Sequence, residues 1–182
     1  KPNEKFLAIN HKTYDLAGET CVIADAEKAV ALGGVMGGAD SEVSAATTDL
    51  LIESAEFTPG SIRNTARALN LRSDSSYRFE RGVDPEGIDW ASRRACELIL
   101  DLAGGELATG VIDMGVPRKV REPIVLRVSQ LKRILGIEID AGVARSILTA
   151  LGCQEERADH DRVTVIPPTW RRDLTREIDL VE

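Results

Sequence analysis

Residues 73–85 read SDSSYRFERGVDP, and residues 167–182 read PPTWRRDLTREIDLVE. Both strings are polar and sit next to a helix-start signal. In the first, Asp84–Pro85 sets a capping acceptor before a proline whose fixed φ suits a first helical turn. Ile88, Ala91, Ala95, Leu98, Ile99 and Leu102 then recur at helical spacing until Gly104–Gly105 stops the pattern. This is the strongest helix that the sequence predicts. The same chemistry at Thr58–Pro59 opens an earlier one, carried by Ile62, Ala66 and Leu69. The second string follows a strand over 163–166 that Pro167–Pro168 ends, and its residues 177–182 return to helical spacing.

Upstream of the first string, FLAIN (6–10) and TCVIA (20–24) read as short strands. ALGGVMGG (31–38) allows a strand with a tight turn at Gly37–Gly38, since glycine adopts backbone angles closed to other residues. Residues 49–57 read as a buried strand interrupted by Glu53, and 111–114 as a returning strand. Between the strings, GVPRKVREP (115–123) has the composition of a linker. A compact unit follows. It has a strand over 124–128, a helix over 129–135 ended by Gly136, and a helix capped by Asp140 with Ala144, Ile147, Leu148 and Leu151 on one face. Helix, helix and strand in that order predict a winged-helix-like arrangement.

The composition excludes several function classes. About 43% of the 182 residues are apolar and only 4% aromatic, so the core is expected from Val, Ile, Leu and Ala. A net charge of −7 disfavours an autonomous nucleic-acid binder that works through phosphates. Cys21, Cys96 and Cys153 are odd in number and form no CxxC pair, and only His11 and His160 stand ready to help them. Neither a disulfide framework nor a structural zinc is expected, and the cysteines read as reduced and buried. No run of about 18 apolar residues predicts a membrane span. The chain opens without methionine, and its last helical pattern stops without a cap, so both ends read as cut.

GGVMGG (33–38), SDSSYRFERGVDP and PPTWRRDLTREIDLVE occur in one order and spacing over essentially the whole chain. Together they resemble the bacterial phenylalanine–tRNA ligase β subunit. The first two motifs fall in its B3/B4 editing domain and the third in its B5 domain. The resemblance implies an α+β fold: residues 1–116 as a B3/B4 domain without its N-terminal part, and residues 117–182 as a winged-helix-like B5 domain without its C-terminal end. It implies hydrolysis of tyrosyl-tRNA(Phe) by the B3/B4 part, with a pocket at Gly37, Glu53, Ser73 and Ser75. It also implies a magnesium ion held by Asp173, Asp179 and Glu182 and shared with the α subunit. The expected partners are that α subunit in an α2β2 assembly and tRNA(Phe), in the cytoplasm and away from membranes. ATP is expected on the whole enzyme, which joins phenylalanine to its tRNA, and not on this stretch.

Tyrosine exceeds phenylalanine by one hydroxyl, which an apolar pocket rejects poorly, so a second site that demands the hydroxyl is needed. A glutamate set among apolar residues, Glu53, is a suitable acceptor because it needs a donor. The competing reading makes Glu53 the ion-pair partner of Arg63 or Arg78. Arg63, Arg67 and Arg72 form a basic patch suited to tRNA phosphates, whereas Arg78 and Arg81 read as paired with nearby acids such as Asp74, Glu80 or Asp84. Oxygen ligands suit Mg²⁺. Asp179 and Glu182 share a helical face, but Asp173 lies about 240° away from Asp179 by helix geometry. Asp173 therefore belongs before the helix, as a ligand or as its N-cap. Trp170 reads as a packing residue.

Two departures from the family pattern stand out. Serine occupies positions 73 and 75, where the family commonly carries threonine and alanine. The family's editing histidine and arginine fall upstream of residue 1, and His11, which does not align with that histidine, reads as a surface residue. Three other readings compete: a structural module that docks α against β, a free-standing editing protein, and a nucleic-acid-binding module. The B5 string disfavours the second. The third is weakened because the helix after Asp140 offers Arg145 as its single cation.

Overall fold

The computed structural model describes residues 4–116 and 120–182. The chain divides into two units, Lys1–Thr109 and Gly110–Glu182. The expected boundary at 116/117 abuts residues 117–119, which, like residues 1–3, lie outside the described residues.

The first unit is α+β. Strands β1 (Lys5–Leu7) and β2 (Thr13–Asp15) form an antiparallel hairpin. Strands β3 (Val22–Ala24), β4 (Ala29–Leu32) and β5 (Met36–Gly37) form a second antiparallel sheet in that order. An Ala8–Gly38 bridge links β5 to the first hairpin. Phe6, Leu32, Val35, Ile62 and Leu71 are buried together as its core. The tight turn falls at Gly33–Gly34, between β4 and β5, and not at the expected Gly37–Gly38. Gly34 has φ +64°, and a β-carbon there would sit 2.8 Å from the Phe57 ring. Gly38 serves a different need, since a β-carbon would meet the Val30 carbonyl oxygen at 2.4 Å.

Helices α1 (Pro59–Ala68), α2 (Asp74–Phe79) and α3 (Gly87–Ala103) follow. Pro59 opens α1 as expected. Helix α3 starts two residues beyond Asp84–Pro85, because the Asp84 carboxylate accepts the Glu86 amide at 3.1 Å in a turn before the helix. None of the 17 residues of α3 is buried: Ile88, Ala95 and Ile99 are half-buried, while Ala91, Leu98 and Leu102 are exposed. Two expected strands are absent. Residues 49–57 are irregular, with Leu51 97% exposed, and so are 111–114, with Ile112 91% exposed. A strand is stabilised by its ladder and its cross-strand pairs, and no described strand pairs with either segment.

The second unit is also α+β. Strand β6 (Ile124–Arg127) leads into α4 (Val128–Leu135), α5 (Ala141–Ala150) and the hairpin of β7 (Gln154–Ala158) and β8 (Arg162–Ile166). The antiparallel sheet runs β6-β8-β7. The register Ile124–Val165 and Leu126–Val163 places four apolar side chains on one face, where they pack against Leu131 of α4 and Leu148 of α5. Gly136 ends α4 in the left-handed conformation, and the Asp140 carboxylate caps α5 through the Val143 amide. The helix expected over 177–182 is a single 3-10 turn, Glu177–Leu180. Glu177 anchors it to β6 through a bidentate pair with Arg127, and Leu180 and Val181 enter the core. Cys153 is buried there, and burial raises the pKa of its thiol, but Cys21 and Cys96 are only half-buried.

Candidate functional site

A cavity of about 920 Å³ opens in the first unit between the glycine hairpin, the loop carrying Glu53, the start of α2 and the start of α3. Its floor is apolar: Phe57 and Phe79 meet edge to face at 5.2 Å behind Gly33 and Gly34. Gly37, Glu53, Ser73 and Ser75 all line this one cavity. The Gly37 carbonyl is already spent, accepting the Ile9 amide at 3.0 Å.

Glu53 has no ion-pair partner among the described residues. Arg63 donates instead to the Glu80 main-chain carbonyl at 3.1 Å, which removes the expected ion-pair alternative on that side. Arg78 makes no ion pair among the described residues either. The Glu53 carboxyl keeps contact with water at the open side of the cavity, but partial burial with no compensating cation raises its pKa above the ordinary carboxylate value. The neighbouring Ser54 hydroxyl donates to the Ile88 carbonyl at 2.8 Å, tying the Glu53 loop to α3.

Ser73 and Ser75 differ in their availability. The Ser73 hydroxyl caps α2 by accepting the Ser76 amide at 3.0 Å and donates to the Val35 carbonyl at 2.5 Å. Ser75 is half-buried, and its side chain has no hydrogen bond among the described residues. Of the basic patch, Arg67 and Arg72 are exposed and without ion pairs among the described residues, whereas Arg63 is partly used. Arg81 does pair with Glu80 at 2.8 Å, and it also stacks on Tyr77 at 3.7 Å. His11 is exposed, as expected.

In the second unit, Asp173, Asp179 and Glu182 are not gathered. No group of three or more His, Cys, Asp or Glu side chains among the described residues is arranged to hold a metal. Asp173 takes a bidentate hydrogen bond from Arg171, which lowers its pKa, and it caps no helix. Asp179 accepts from the Thr175 amide and hydroxyl, the Arg176 amide and the Arg176 guanidinium. Those donors, the Thr175 amide first, lower its pKa to about 2. As placed, the three carboxylates do not fit a ready magnesium site, because the oxygens of Asp173 and Asp179 already face arginine or amide donors. Arg145, the one cation of α5, is committed to Glu155. Trp170 is 59% exposed, yet its ring lies where a β-carbon on Gly152 would be, at 2.8 Å.

A family profile described as "B3/4 domain" matches residues 1–104, and one described as "tRNA synthetase B5 domain" matches residues 124–182. The chain belongs to the B3/4 family and carries a B5 domain after it. Its relatives include the phenylalanine–tRNA ligase beta subunit of Rhodopirellula baltica, 54% identical over all of this chain and 27% of that protein. The corresponding subunit of Salinibacter ruber is 48% identical over 97% of this chain and 21% of its own length. That of Thermotoga maritima is 44% identical over the whole chain and 23% of its own length. The chain thus spans about a quarter of the length of these curated relatives. No helix of the described residues is long and apolar enough to cross a membrane.

Several residues that shape the B3/4 cavity escape a reading by periodicity. Helix α2 is too short to show an apolar stripe. Its signal was the spacing of Ser73 and Ser76, which form a reciprocal capping pair. Ser54 carried no signal, because its partner is a main-chain carbonyl 34 residues away.

Proposed function

We propose that the B3/4 unit is a hydrolytic editing site, which removes tyrosine wrongly esterified to tRNA(Phe) within a full-length phenylalanine–tRNA ligase. The observation that carries this is Glu53: an unpaired carboxylate with raised pKa on the wall of a cavity with an aromatic floor. An aromatic side chain fits the floor, and the phenol of tyrosine supplies the donor that Glu53 lacks. Phenylalanine offers none, and a site built around a hydroxyl rejects the analogue without it by as much as ~10⁴–10⁵. Ser75 adds a second polar group at the same cavity. Water attacks the ester carbonyl, the bond to the ribose oxygen breaks, and the water's proton passes to that oxygen, leaving free tyrosine and a ribose hydroxyl. This chain positions the ester and supplies no acid or base. Arg67 and Arg72, with a contribution from Arg63, take phosphates of the acceptor end.

The B5 unit is read as a docking module for the α subunit in an α2β2 assembly. Val143, Ile147 and Leu151 form an exposed apolar stripe along α5 and its end, beside the buried Ala144 and Leu148. A magnesium site there would need ligands from the partner and release of Asp173 and Asp179 from their arginines.

The test is deacylation of preformed tyrosyl- and phenylalanyl-tRNA by the full-length enzyme and its Glu53→Ala variant. Preferential clearing of tyrosyl-tRNA is expected to vanish while phenylalanine charging stays near wild type. Wild-type clearing by the variant would make Glu53 a bystander and remove this reading.

A further inference from the structure

Ser73 lines the editing cavity, yet its hydroxyl is not at the disposal of a ligand. Its proton goes to the Val35 carbonyl at 2.5 Å, and its oxygen accepts the Ser76 amide at 3.0 Å. The partners are the turn of the β4–β5 hairpin and the first turn of α2, which form two walls of the cavity. They lie 38 residues apart in sequence. Ser76 completes the junction from the helix side: its hydroxyl receives the Ser73 amide at 2.9 Å and bonds back to the Ser73 carbonyl at 3.0 Å, and the side chain is 3% exposed. The hairpin side is equally constrained, since Val35 is 1% exposed and Gly34 is pressed against Phe57 and Phe79. One hydroxyl therefore joins two packed elements that both line the cavity.

We propose that Ser73 is a positioning residue, whose hydroxyl clamps the first turn of α2 to the glycine hairpin and so fixes the spacing at which Ser75 and Glu53 face the ligand. The inference rests on the editing reading for its functional consequence, but not for the clamp itself. Threonine at this position keeps donor and acceptor. Alanine loses both. Aspartate keeps the acceptor for the Ser76 amide, being a good helix cap, but has no proton for the Val35 carbonyl. Aspartate therefore separates the clamp from the cap and guards against a variant that merely unfolds α2.

The experiment uses the full-length enzyme with Ser73→Ala, Ser73→Asp and Ser73→Thr. Hydrogen exchange without substrate reads the clamp, and deacylation of tyrosyl- and phenylalanyl-tRNA reads the function. Ser73→Ala and Ser73→Asp should speed exchange together at residues 33–36 and 74–79. Each should slow deacylation of tyrosyl-tRNA about tenfold, as expected for one lost hydrogen bond at a rate-determining geometry. Ser73→Thr should restore both readouts. If Ser73→Asp deacylates at the wild-type rate, or if exchange is unchanged and only the tyrosine-to-phenylalanine preference shifts, Ser73 is a ligand contact or a cap alone and the proposal is overturned. If the wild-type enzyme clears no tyrosyl-tRNA while the exchange result holds, the editing reading fails and the clamp stands.

Discussion

The Ser54 hydroxyl donates to the main-chain carbonyl of Ile88 at 2.8 Å, so the irregular segment that carries Glu53 is pinned to the first turn of α3. Residues 51–57 make no strand ladder, and this bond is a specific tether next to the carboxylate. Ser54→Ala should let Glu53 drift and lower the preference for tyrosyl- over phenylalanyl-tRNA by roughly threefold to tenfold, the worth of one ordinary hydrogen bond. Parallel deacylation assays measure it. An unchanged preference would mean that packing alone holds the loop.

The pH dependence of that preference follows from Glu53. Burial raises its folded-state pKa above the ordinary 4.5, so burial disfavours the ionised form. The phenol donor favours that form. Tyrosine preference should therefore be complete above the folded pKa and lost as pH falls through it, starting at a higher pH than for an unperturbed carboxylate. The linkage to stability has the opposite sense: a raised acid pKa weakens the fold as pH rises through the window. Glu53→Gln should thus not lower the melting temperature at neutral pH, and it should flatten the acid limb of the preference profile. A variant that keeps the wild-type acid limb would assign that limb to another group.

Much of this was legible before the fold. The B5 unit came through almost whole, because its helices carry strong stop and start signals at Gly136, Asp140 and Gly152, and β8 alternates cleanly. Strand β7 was not legible, since QEERA is polar throughout and is held by its ladder to β8. In the B3/4 unit, the apolar run around Glu53 predicts a buried strand, but Glu53 stands on an exposed irregular loop. The glycine turn lies four residues before the expected pair, since GGVMGG offers two equivalent pairs. What separates them is the long-range contact with Phe57 and Phe79, which no local pattern encodes. The acidic trio of the B5 unit shows the same limit. Spacing put Asp179 and Glu182 on one face, but not the arginines and amides that already occupy Asp173 and Asp179.

Gly34→Ala tests the turn directly. Position 34 has φ +64°, and a β-carbon would press on Phe57, Ile62 and Phe79 at 2.8–3.2 Å. A left-handed non-glycine residue and an overfilled core together should cost roughly 2–4 kcal/mol. In calorimetry of the full-length protein the transition of the B3/4 unit should fall by at least about 8 °C. A shift under about 2 °C would mean that the hairpin relaxes freely away from the rings.

Arg67 and Arg72 are exposed and unpaired among the described residues, in a chain of net charge −7. If they contact phosphates, their loss should weaken tRNA binding uniformly and flatten its salt dependence by about one unit of log–log slope each. Arg67→Ala with Arg72→Ala should therefore raise KM for tyrosyl-tRNA deacylation and leave kcat near wild type. A salt slope that does not move would place the acceptor end elsewhere.

Asp179 decides between a structural and a metal role for the B5 acids. Its carboxylate takes four donors from Thr175 and Arg176, and its pKa is lowered from 3.8 to about 2. A depressed acid pKa adds stability that is fully present above 3.8 and is lost as pH falls toward 2. Asp179→Ala should lower the melting temperature by several degrees at pH 7, and the difference from wild type should shrink as pH falls through about 2, where the wild-type carboxylate takes up its proton. Magnesium has to compete with the same donors. Calorimetric titration of the 182-residue chain at pH 7 should accordingly show no micromolar Mg²⁺ site, while the assembled α and β subunits bind it more tightly. A micromolar site in the isolated chain that disappears with Asp173→Ala, Asp179→Ala or Glu182→Ala would show that Asp173 and Asp179 leave their present donors for the ion without help from the α subunit.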